Sequence, residues 1–544
     1  MKKYLLATAL SVFASFVLLA QLSPELATTP PDHPLLTATA NAAPYAATIT
    51  AEDMRNYLNV LASDEFEGRE TGQEGQRKAA EFIAAHFEKL GFPTIGDSGT
   101  YFQNIAFTAE NWDNGQIELT INGESHRHLS DFVSFPSANS NRERFAAGQV
   151  IFLGYGIDDP KYSDYNGKDL TGKTILIYMD EPVDKYGNSW LTGTPELSPW
   201  STDWRKKLEV AHQHGVATVL LIDADIKKTV GEARKTLLNS EMRMGEGGNP
   251  EGRYTNNMFI SSTLAKEIVG KKMKKFAKLR DGIKKSGKPA HMDFPCRLSM
   301  VQKKNKRQLL GSNVLGYIEG NDPRLKNEVV VVSAHYDHLG KKGPAIYHGA
   351  DDNGSGSSTV MDIAQAFAQA KKDGQGPRRS ILFLLVSGEE KGLLGSEYYS
   401  EHPIFPLENT VADVNVDMIG RTDPKHDGNP NYIYVIGSNR LSTELHDINE
   451  AANAEYAQLD LDYTFNAKND PNRFYYRSDH YNFARKGIPS IFYFSGVHKD
   501  YHQPSDTVDK IMFEKMEKIG RLIFYTTWEL ANREDRIRVD VKED

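Results

Sequence analysis

The sequence predicts an α/β protein with a mixed, mostly parallel β-sheet that is covered by helices on both sides. Short, continuous apolar runs support this, such as the four valines at 329–332, because such runs are typical of strands buried on both faces. Segments with apolar residues at helical spacing lie between these runs, for example at 357–370. Strands that alternate with helices indicate a layered sheet structure.

Two helices are predicted near the start of the periodic part of the chain. Thr50 can cap the first helix, whose apolar residues lie at helical spacing: Met54, Leu58 and Leu61. The second helix is predicted at 73–90, with Gly91 as its stop. Between them, residues 67–72 (Glu-Gly-Arg-Glu-Thr-Gly) form a polar loop that is rich in turn residues.

The pattern changes between about 135 and 290. Short strands are predicted at 148–153, 173–178 and 217–222, a helix at 203–214, and a long loop rich in Gly and Asn at 245–257. We interpret residues 135–290 as an inserted domain. The flanking segments, 46–134 and 291–544, are then two parts of one main domain.

The second part of the main domain contains most of the predicted sheet. Strands are expected in the apolar runs at 328–334, 381–386, 411–416, 432–436 and 488–494. A helix is expected at 357–370, and a long helix from 508 to about 531 closes the chain.

The bulk composition is that of an ordinary globular protein, with 39% hydrophobic and 25% charged residues. The length of 544 residues predicts more than one domain. The net charge of −9 offers no electrostatic support for a nucleic-acid partner. We interpret the basic stretch 266–288 as a solvated helix face followed by a loop.

The N-terminus predicts an export signal. Lys2 and Lys3 precede an apolar run at 5–20 that is short for a membrane span. Residues 1–45 are therefore expected to be a signal peptide and a flexible lead-in, and the protein to be exported to the periplasm or secreted. Its cleavage site is open, since the small-x-small triplet at 40–42 lies far past the apolar core. An uncleaved anchor is the alternative.

Cys296 is the one cysteine of the chain, so an intramolecular disulfide cannot form. It lies in Phe-Pro-Cys-Arg-Leu, which contains no histidine, and we expect a structural role for it.

Five short motifs follow predicted strands in the second half. They are Ala-His-Tyr-Asp at 334–337, Gly-Ala-Asp-Asp-Asn-Gly-Ser-Gly at 349–356, Gly-Glu-Glu at 388–390, Asn-Val-Asp-Met at 415–418 and Tyr-His-Gln-Pro-Ser-Asp-Thr at 501–507. Functional sites of α/β sheets form at the carboxyl ends of strands. Imidazoles and carboxylates together are ligands for zinc.

We therefore predict a centre with two zinc ions. Asp352 is the expected bridge, His335 and Asp417 complete the first site, and Glu390 and His502 complete the second. Taken singly, each motif has an ordinary explanation, such as a turn at 351–354 or a solvated acidic pair. Their joint occurrence at strand ends favours the metal centre.

These motifs resemble those of the M28 metallopeptidases, a family of zinc aminopeptidases. The resemblance covers about 46–134 and 291–544, and the segment 61–69 is similar to the family's opening segment. Segments 154–157 and 169–173 resemble a protease-associated (PA) domain. The resemblance implies a three-layer α/β/α zinc-peptidase fold with an inserted β-rich PA-like domain, the ligand set above, and a cis bond between Asp352 and Asn353.

Further roles are implied for residues beside the ligands. Glu389 matches the family's catalytic carboxylate and would take a proton from the attacking water and pass it to the leaving amine. Tyr501 matches a tyrosine that stabilises the oxyanion, with aromatic packing as the alternative. Asp337 is expected to accept the other ring N–H of His335, and Asp479 is a second supporting candidate. The remaining histidines nearby are expected to be structural: His338, His348 and His480.

The predicted function is that of a two-zinc aminopeptidase acting on peptides with a free N-terminus. A carboxypeptidase or a glutaminyl cyclase on the same scaffold is the alternative enzyme, and a noncatalytic binding module is the third possibility. The sequence contains no Gly-x-Ser-x-Gly elbow and no His-Glu-x-x-His helix, which disfavours serine hydrolases and that class of zinc protease. In the mature form we expect no membrane association unless the signal stays uncleaved.

Overall fold

The computed structural model describes residues 35–238, 240–245 and 253–542. The predicted signal peptide lies outside these residues. Within the described ranges, no helix has both the length and the apolar character needed to cross a membrane.

The chain opens with three helices and one long strand. They are α1 (Ala43–Ala46), α2 (Ala51–Leu61), α3 (Glu74–Lys89) and β1 (Phe102–Ile121). Thr50 caps α2, because its Oγ1 accepts the N–H of Asp53 at 3.1 Å. Gly91 follows the end of α3 with a φ of +78°, as expected of a helix stop.

Residues 35–48 differ from the flexible lead-in that we expected. The Tyr45 ring stacks on Trp528 with ring centroids 5.7 Å apart. The buried Glu529 carboxylate accepts the backbone N–H groups of Thr37 and Ala38 at 3.1 and 2.9 Å. The segment is therefore packed onto the C-terminal helix, a contact between the chain's two ends that local sequence patterns do not reveal.

The middle of the chain contains both strands and helices. In chain order they are β2 (Glu124–His126), β3 (Phe132–Val133), β4 (Arg142–Leu153), β5 (Asp158–Asp159), β6 (Tyr162–Ser163), β7 (Thr174–Tyr178), α4 (Pro199–Thr202), α5 (Trp204–Gln213), β8 (Thr218–Asp223), α6 (Ile226–Leu238), β9 (Glu241–Met244), β10 (Asn257–Ser261), α7 (Ser262–Val269), α8 (Met273–Ser286) and β11 (His291–Ile318). Strands β4, β7, β8 and β10 pair in parallel. Cys296 is buried in the apolar core of this region.

The rest of the chain alternates between strands and helices, as predicted. The elements are β12 (Val329–His335), β13 (Lys341–Lys342), β14 (Ala345–Ile346), α9 (Gly356–Lys372), β15 (Ser380–Val386), α10 (Leu394–Glu401), β16 (Thr410–Val416), β17 (Tyr432–Ile436), α11 (Thr443–Ala452), β18 (Asp460–Asp462), α12 (His480–Ala484), β19 (Ser490–Phe494) and α13 (Phe513–Asn532). The last helix starts five residues later than predicted, because Val508–Lys510 is a separate 3₁₀ turn and the Met512 N–H donates to the Gly420 carbonyl.

Helices cover both faces of the sheet in this part. Strands β19, β16, β12 and β15 are neighbours and run parallel. Val330 and Val332 of β12 pack into a core with α2, α9 and α13. Val329 and Val331 point the other way, into a core with residues of α10 and α12. The predicted three-layer α/β architecture is confirmed.

Strands β1 and β11 connect the two regions, and the sequence analysis identified neither. They pair antiparallel from Phe102 opposite Val314 to Ile121 opposite Leu298. One end of β11 pairs with β15 and the other with β4, so the described residues form one continuous 15-stranded sheet. The division of the chain at 135 and 290 therefore stays a proposal, since both strands are shared.

Candidate metal centre

Four parallel strands bring the motif residues to one edge of the sheet. His335 is the last residue of β12, Asp417 directly follows β16, and Glu389–Lys391 form a 3₁₀ turn two residues after β15. Because β16, β12 and β15 are adjacent and parallel, their carboxyl ends meet. Asp352 comes from the segment between β14 and α9, and His502 from the segment after β19.

His335 lies between two carboxylates on one side of the site. Its Nε2 is 3.3 Å from Asp417 Oδ1 and 3.5 Å from Asp352 Oδ1. Glu389 Oε2 lies 3.9 Å from the same nitrogen. All three carboxylates therefore direct an oxygen toward one imidazole nitrogen, which is the arrangement that a shared cation between them requires.

A second group of atoms lies beyond Asp352. His502 Nε2 is 3.0 Å from Asp352 Oδ2 and 3.2 Å from Glu390 Oε1. Asp352 thus turns Oδ1 toward His335 and Oδ2 toward His502, the position expected of a bridge. The structure brings together all five residues predicted as ligands; their role as ligands stays a prediction.

His338 also belongs to this group, although we expected it to be a structural histidine. Its Nδ1 lies 2.8 Å from Glu390 Oε1 and 3.8 Å from Asp352 Oδ2. His338, Asp352 and Glu390 form one set of side chains able to hold a metal, and His335, Glu389 and Asp417 form another. The sequence signal was a second histidine three residues after His335, which the sequence analysis set aside.

The other two histidines of that expectation lie elsewhere. His348 Nε2 pairs with Asp64 Oδ1 at 2.8 Å, at the surface. His480 is buried and stacks on Phe492 with ring centroids 4.8 Å apart. Neither joins the group that we call the acid–histidine cluster, whose members are His335, His338, Asp352, Glu389, Glu390, Asp417 and His502.

Buried polar atoms without hydrogen bonds are concentrated in the acid–histidine cluster. They are His335 Nε2, His338 Nδ1, His338 Nε2, Asp352 Oδ2, Glu390 Oε1 and Asp417 Oδ1. An unsatisfied buried polar group costs about 1–3 kcal/mol, and more if it is charged. Imidazole nitrogens and carboxylate oxygens are the donors that zinc prefers. The residues present therefore fit a divalent metal ion such as zinc.

The two adjacent glutamates have opposite electrostatic environments. Burial raises the pKa of Glu389 well above its usual range, and the nearby Glu390 and Asp417 carboxylates raise it further, against the effect of His335. Burial also acts to raise the pKa of Glu390, but the close imidazoles of His338 and His502 outweigh it and hold that pKa low. The two neighbouring carboxyls therefore have pKa values shifted in opposite directions, which suits them to different chemical roles.

Asp337 supports the cluster in a different way from the one predicted. The ring Nδ1 of His335 faces the backbone carbonyl of Asp337 at 3.2 Å, while the Asp337 carboxylate is 3.9 Å away. That carboxylate instead accepts the Glu389 N–H at 3.1 Å and the Thr71 hydroxyl at 2.7 Å. The prediction that the carboxylate orients His335 is therefore wrong: it fixes the turn that carries Glu389.

Arg69 and Asp506 hold the loops that carry the cluster. The buried Arg69 guanidinium donates to the carbonyls of Tyr336, His348 and Gly349, each at 2.8 Å. The Asp506 carboxylate accepts the N–H groups of Asp351 and Asp352 at 3.0 and 3.1 Å. Asp506 belongs to the same motif as His502, so it connects the His502 segment to the Asp352 segment.

Two further expectations concern Asp479, as a supporting residue, and a cis bond between Asp352 and Asn353. Asp479 is buried and accepts the Ser396 hydroxyl at 2.6 Å, while burial raises its pKa to about 7. It touches no imidazole through a hydrogen bond, so it does not orient a histidine. The bond between Asp352 and Asn353 is cis, as the resemblance implies.

A cavity lies beside the cluster. Asp352, Glu389, Asp417 and His502 line one side of it, together with Tyr501. Apolar side chains line the remainder: Met418, Phe474, Phe492, Phe494 and Val497. Arg477 is the one lysine or arginine among the described residues that line the cavity.

Tyr501 occupies the border between the cluster and the cavity. Its ring stacks on His502 with centroids 3.8 Å apart and planes inclined by 24°. Burial raises the pKa of Tyr501, and the carboxylates of Asp352 and Glu390 raise it further. The hydroxyl therefore keeps its proton at neutral pH and is available as a donor.

Comparisons with known proteins identify a peptidase family that part of this chain matches. Residues 313–527 match the profile of Peptidase family M28. A probable leucine aminopeptidase of Arthroderma otae is 32% identical over 216 residues, which cover 38% of this chain and 56% of that protein. Aminopeptidase YwaD of Bacillus subtilis is 27% identical over 216 residues, covering 38% of this chain and 42% of that protein. The chain thus spans about half of the length of these relatives.

Among solved structures, an aminopeptidase from Aneurinibacillus sp. strain AM-1 has a similar fold. Its TM-score is 0.54 at 19% sequence identity, and the match covers 92% of this chain and 98% of that chain. At this identity the likeness shows the fold. The resemblance to the M28 family that the sequence predicted is confirmed by the family match.

Proposed function

We propose that this chain, whose residues 313–527 carry the M28 match, is a two-zinc aminopeptidase that removes N-terminal residues from peptides. The observation that supports it most is the acid–histidine cluster. Six of its buried polar atoms lack a hydrogen bond, and one of its members, the Glu389 carboxylate, also lines the cavity.

The proposed ligands divide around Asp352. His335 and Asp417 would hold one ion together with Asp352, and Glu390 and His502 would hold the other together with Asp352. When bound, the two ions would polarise the scissile carbonyl and lower the pKa of a water to about 7. His338 Nδ1 competes with His502 for the position beside Glu390, since both lie within about 3.2 Å of its Oε1.

Replacing His338 and His502 separately with alanine distinguishes their roles. Zinc stoichiometry measured by elemental analysis should fall from two to one ion per chain in the His502 variant and stay at two in the His338 variant. The opposite result would make His338 the ligand and His502 the supporting residue.

Glu389 is proposed as the general base. It lines the cavity, and its backbone is fixed by the Asp337 carboxylate, so its side chain can stay in one place while a substrate binds. It would accept the proton of the attacking water and deliver it to the leaving amine. Tyr501 is proposed to donate its hydroxyl to the oxyanion that forms at the carbonyl carbon.

The cavity gives the proposed substrate preference. Its aromatic wall of Phe474, Phe492 and Phe494 suits an apolar side chain on the N-terminal residue. The free α-ammonium of the substrate would face the carboxylates of the cluster, which an N-acetylated peptide cannot satisfy. We propose peptides with a free N-terminus and a large apolar first residue as substrates.

The test is a panel of aminoacyl arylamides with the zinc-loaded protein and with the chelated protein. We expect chelator-sensitive release that is fastest for leucyl and phenylalanyl compounds and absent for their N-acetylated forms. Release from N-acetylated compounds would contradict the aminopeptidase assignment. Zinc binding without any turnover would favour the noncatalytic binding module.

Arg477 favours a second candidate, a carboxypeptidase. It lines the cavity, and a guanidinium there can bind the carboxylate of a C-terminal residue. Peptides blocked at either end distinguish the candidates, because a carboxypeptidase cleaves N-acetylated peptides and spares C-terminal amides. Arg477→Met should then reduce cleavage only of substrates with a free carboxylate. Conversion of glutaminyl peptides, followed by mass spectrometry, tests the glutaminyl cyclase alternative.

Export to the periplasm or the medium is proposed from the N-terminal segment alone. Fractionation of expressing cells, with N-terminal sequencing of the mature protein, tests both export and the cleavage site. Recovery of the unprocessed chain in the membrane fraction would favour the uncleaved anchor.

A further inference from the structure

The segment 266–288 has a charge opposite to that of the rest of the chain. It contains ten lysines and arginines and two acidic residues, a formal charge of +8. Since the whole chain has −9, the remaining residues carry −17. Such a separation of charge directs one surface toward anionic partners.

The structure places these lysines on the outer face of α8 and on the residues beside it. Phe276 and Ile283 are buried against the core of the middle region. Lys274, Lys278 and Lys285 are exposed and lie opposite these two residues at 100° per residue. The helix therefore presents a basic outer face because its apolar side is fully used for packing.

Eight lysines of this segment are exposed, and we call them the lysine face: Lys266, Lys271, Lys272, Lys274, Lys275, Lys278, Lys285 and Lys288. Within the described residues, none of them forms an ion pair with a carboxylate. Lys272 donates to the backbone carbonyl of Asp293. Elsewhere lysines do find acidic partners, as Lys391 does with Glu70 at 2.9 Å. The lysine face is thus uncompensated positive charge.

An exposed apolar loop borders the lysine face. Tyr186 is 76% exposed, Leu197 50% and Trp190 39%. Trp190 connects this loop to the end of α8, since its Nε1 donates to the Lys284 carbonyl at 3.2 Å and its ring covers Gly287. Tyrosine and tryptophan beside lysines are typical of surfaces that contact the headgroup region of a bilayer.

We propose that the lysine face and the Tyr186–Leu197 loop bind the surface of a membrane rich in anionic phospholipid, without spanning it. Lysine is a compact, hydrated point charge suited to diffuse attraction. The one arginine of the segment, Arg280, lies over the Tyr178 ring at 4.3 Å and 3.9 Å from Asp180 Oδ2, so its charge already has partners within the protein. A convex helix without forked arginines fits a plane of headgroups better than the grooves and base edges of a nucleic acid.

This attachment would be independent of the acid–histidine cluster. The lysines lie on α7, α8 and their flanking turns, which pack on the core of the middle region. The cluster lies at the ends of β12, β15 and β16. Membrane binding should therefore leave hydrolysis of small substrates unchanged, and each property can fail without the other.

Sedimentation of the full-length mature protein with phospholipid vesicles tests the proposal. We expect binding to vesicles of phosphatidylcholine mixed with phosphatidylglycerol, no binding to phosphatidylcholine alone, and loss of binding above about 0.5 M salt, where the Debye length falls to a few Å. The charge-reversal variant replaces four lysines with glutamate: Lys271, Lys274, Lys278 and Lys285. It should bind at least about tenfold more weakly.

The matched control reverses four exposed lysines outside the face: Lys89, Lys372, Lys486 and Lys542. It changes the net charge equally and should keep most of the binding. A second variant, Tyr186→Ser with Leu197→Ser, should weaken binding a few-fold at unchanged charge. Thermal melting of each variant checks that it is folded.

Four outcomes would overturn the proposal. The wild-type protein could fail to sediment with anionic vesicles at low salt. The two charge-reversal variants could lose binding equally, which would indicate attraction by net charge alone. Tighter binding to single-stranded DNA, or self-association that the lysine-face variant abolishes, would identify a nucleic acid or a second copy as the partner instead.

Discussion

Two buried polar groups in this molecule contrast in how their atoms are paired. The first, which we call the amide network, lies in the middle region and consists of Ser134, Asn139, Asn256, Asn257 and Gln302. Gln302 Nε2 lies 3.0 Å from both Ser134 Oγ and Asn139 Oδ1, and Gln302 Oε1 accepts from Asn256 Nδ2 at 2.7 Å. The second is the acid–histidine cluster, where six buried atoms make no hydrogen bond.

The difference follows from the chemistry of the side chains. An amide carries donors and acceptors, so neighbouring amides satisfy one another; in the network one side-chain oxygen, Asn257 Oδ1, is left without a hydrogen bond. An ionised carboxylate only accepts, and the carboxylates gathered around the three imidazoles repel each other when they are charged. The amide network is complete without a ligand and stabilises the fold. The acid–histidine cluster lacks such internal partners, and its donor set fits cations.

The largest expected effect separates catalysis from metal binding within the cluster. Glu389→Gln should lower turnover by about 10²–10⁴-fold, because the amide cannot accept the proton of the attacking water. Zinc content measured by elemental analysis should not change. The control is Glu397→Gln. Glu397 lies on α10, the helix after the turn that carries Glu389, and it pairs with Arg485. Near-normal turnover of the Glu389 variant would exclude this role.

The next effect concerns stability with and without metal. At free zinc about 100-fold above its Kd, each ion should stabilise the folded chain by about 2.7 kcal/mol. A chelator should therefore lower the Tm of the wild-type protein in calorimetry, and much less so that of Asp352→Ala, which lacks the bridge. An unchanged Tm in protein shown to have lost its zinc would remove the contrast between the two buried groups.

A smaller effect is expected from the residue that positions the bridge. Asp506→Asn keeps one acceptor for the N–H groups of Asp351 and Asp352, whereas Asp506→Ala keeps none. We expect zinc affinity, measured by competition with a chromogenic chelator, to fall by about 10–100-fold in the alanine variant and less in the asparagine variant. Equal affinity in all three proteins would show that the loop holds its shape unaided.

The smallest effect belongs to the amide network. Gln302→Leu leaves the partners of one buried amide unsatisfied and should lower the free energy of unfolding by about 1–3 kcal/mol in urea denaturation. Gln149→Leu, at an exposed position on β4, is the matched control and should change it by less than about 0.5 kcal/mol. Zinc affinity should stay at the wild-type value in both; a large loss in Gln302→Leu would mean that the two groups are coupled.

The sequence predicted the parts of the site that depend on local pattern. His335 ends one mostly apolar strand and Asp417 directly follows another, so their place at the sheet edge follows from the strands alone. His338 was missed because its place depends on a distant contact: its N–H donates to the Arg69 carbonyl, and it pairs with Glu70 in an isolated bridge. No pattern around residue 338 encodes that contact.

The fold shows the same limit. The buried strands of the second part were predicted because their apolar runs are continuous. Strand β11 instead alternates exposed and buried residues between His291 and Met300 and then carries a charged stretch, so it resembled neither a buried strand nor a helix. Asp337 offers two kinds of acceptor, its backbone carbonyl and its carboxylate. Only the fold decides which of them faces the His335 ring, so the sequence analysis assigned the carboxylate to the wrong partner.

The strands shared by both regions have a mechanical consequence. A module attached by two flexible linkers can swing freely, but here β1 and β11 run as a hydrogen-bonded ribbon from one region into the other. Any tilt of the middle region must bend this ribbon. The register of the pair shifts between Trp112 and Ile117, which makes that point the natural place for such bending, with the rest of the ribbon acting as a stiff arm.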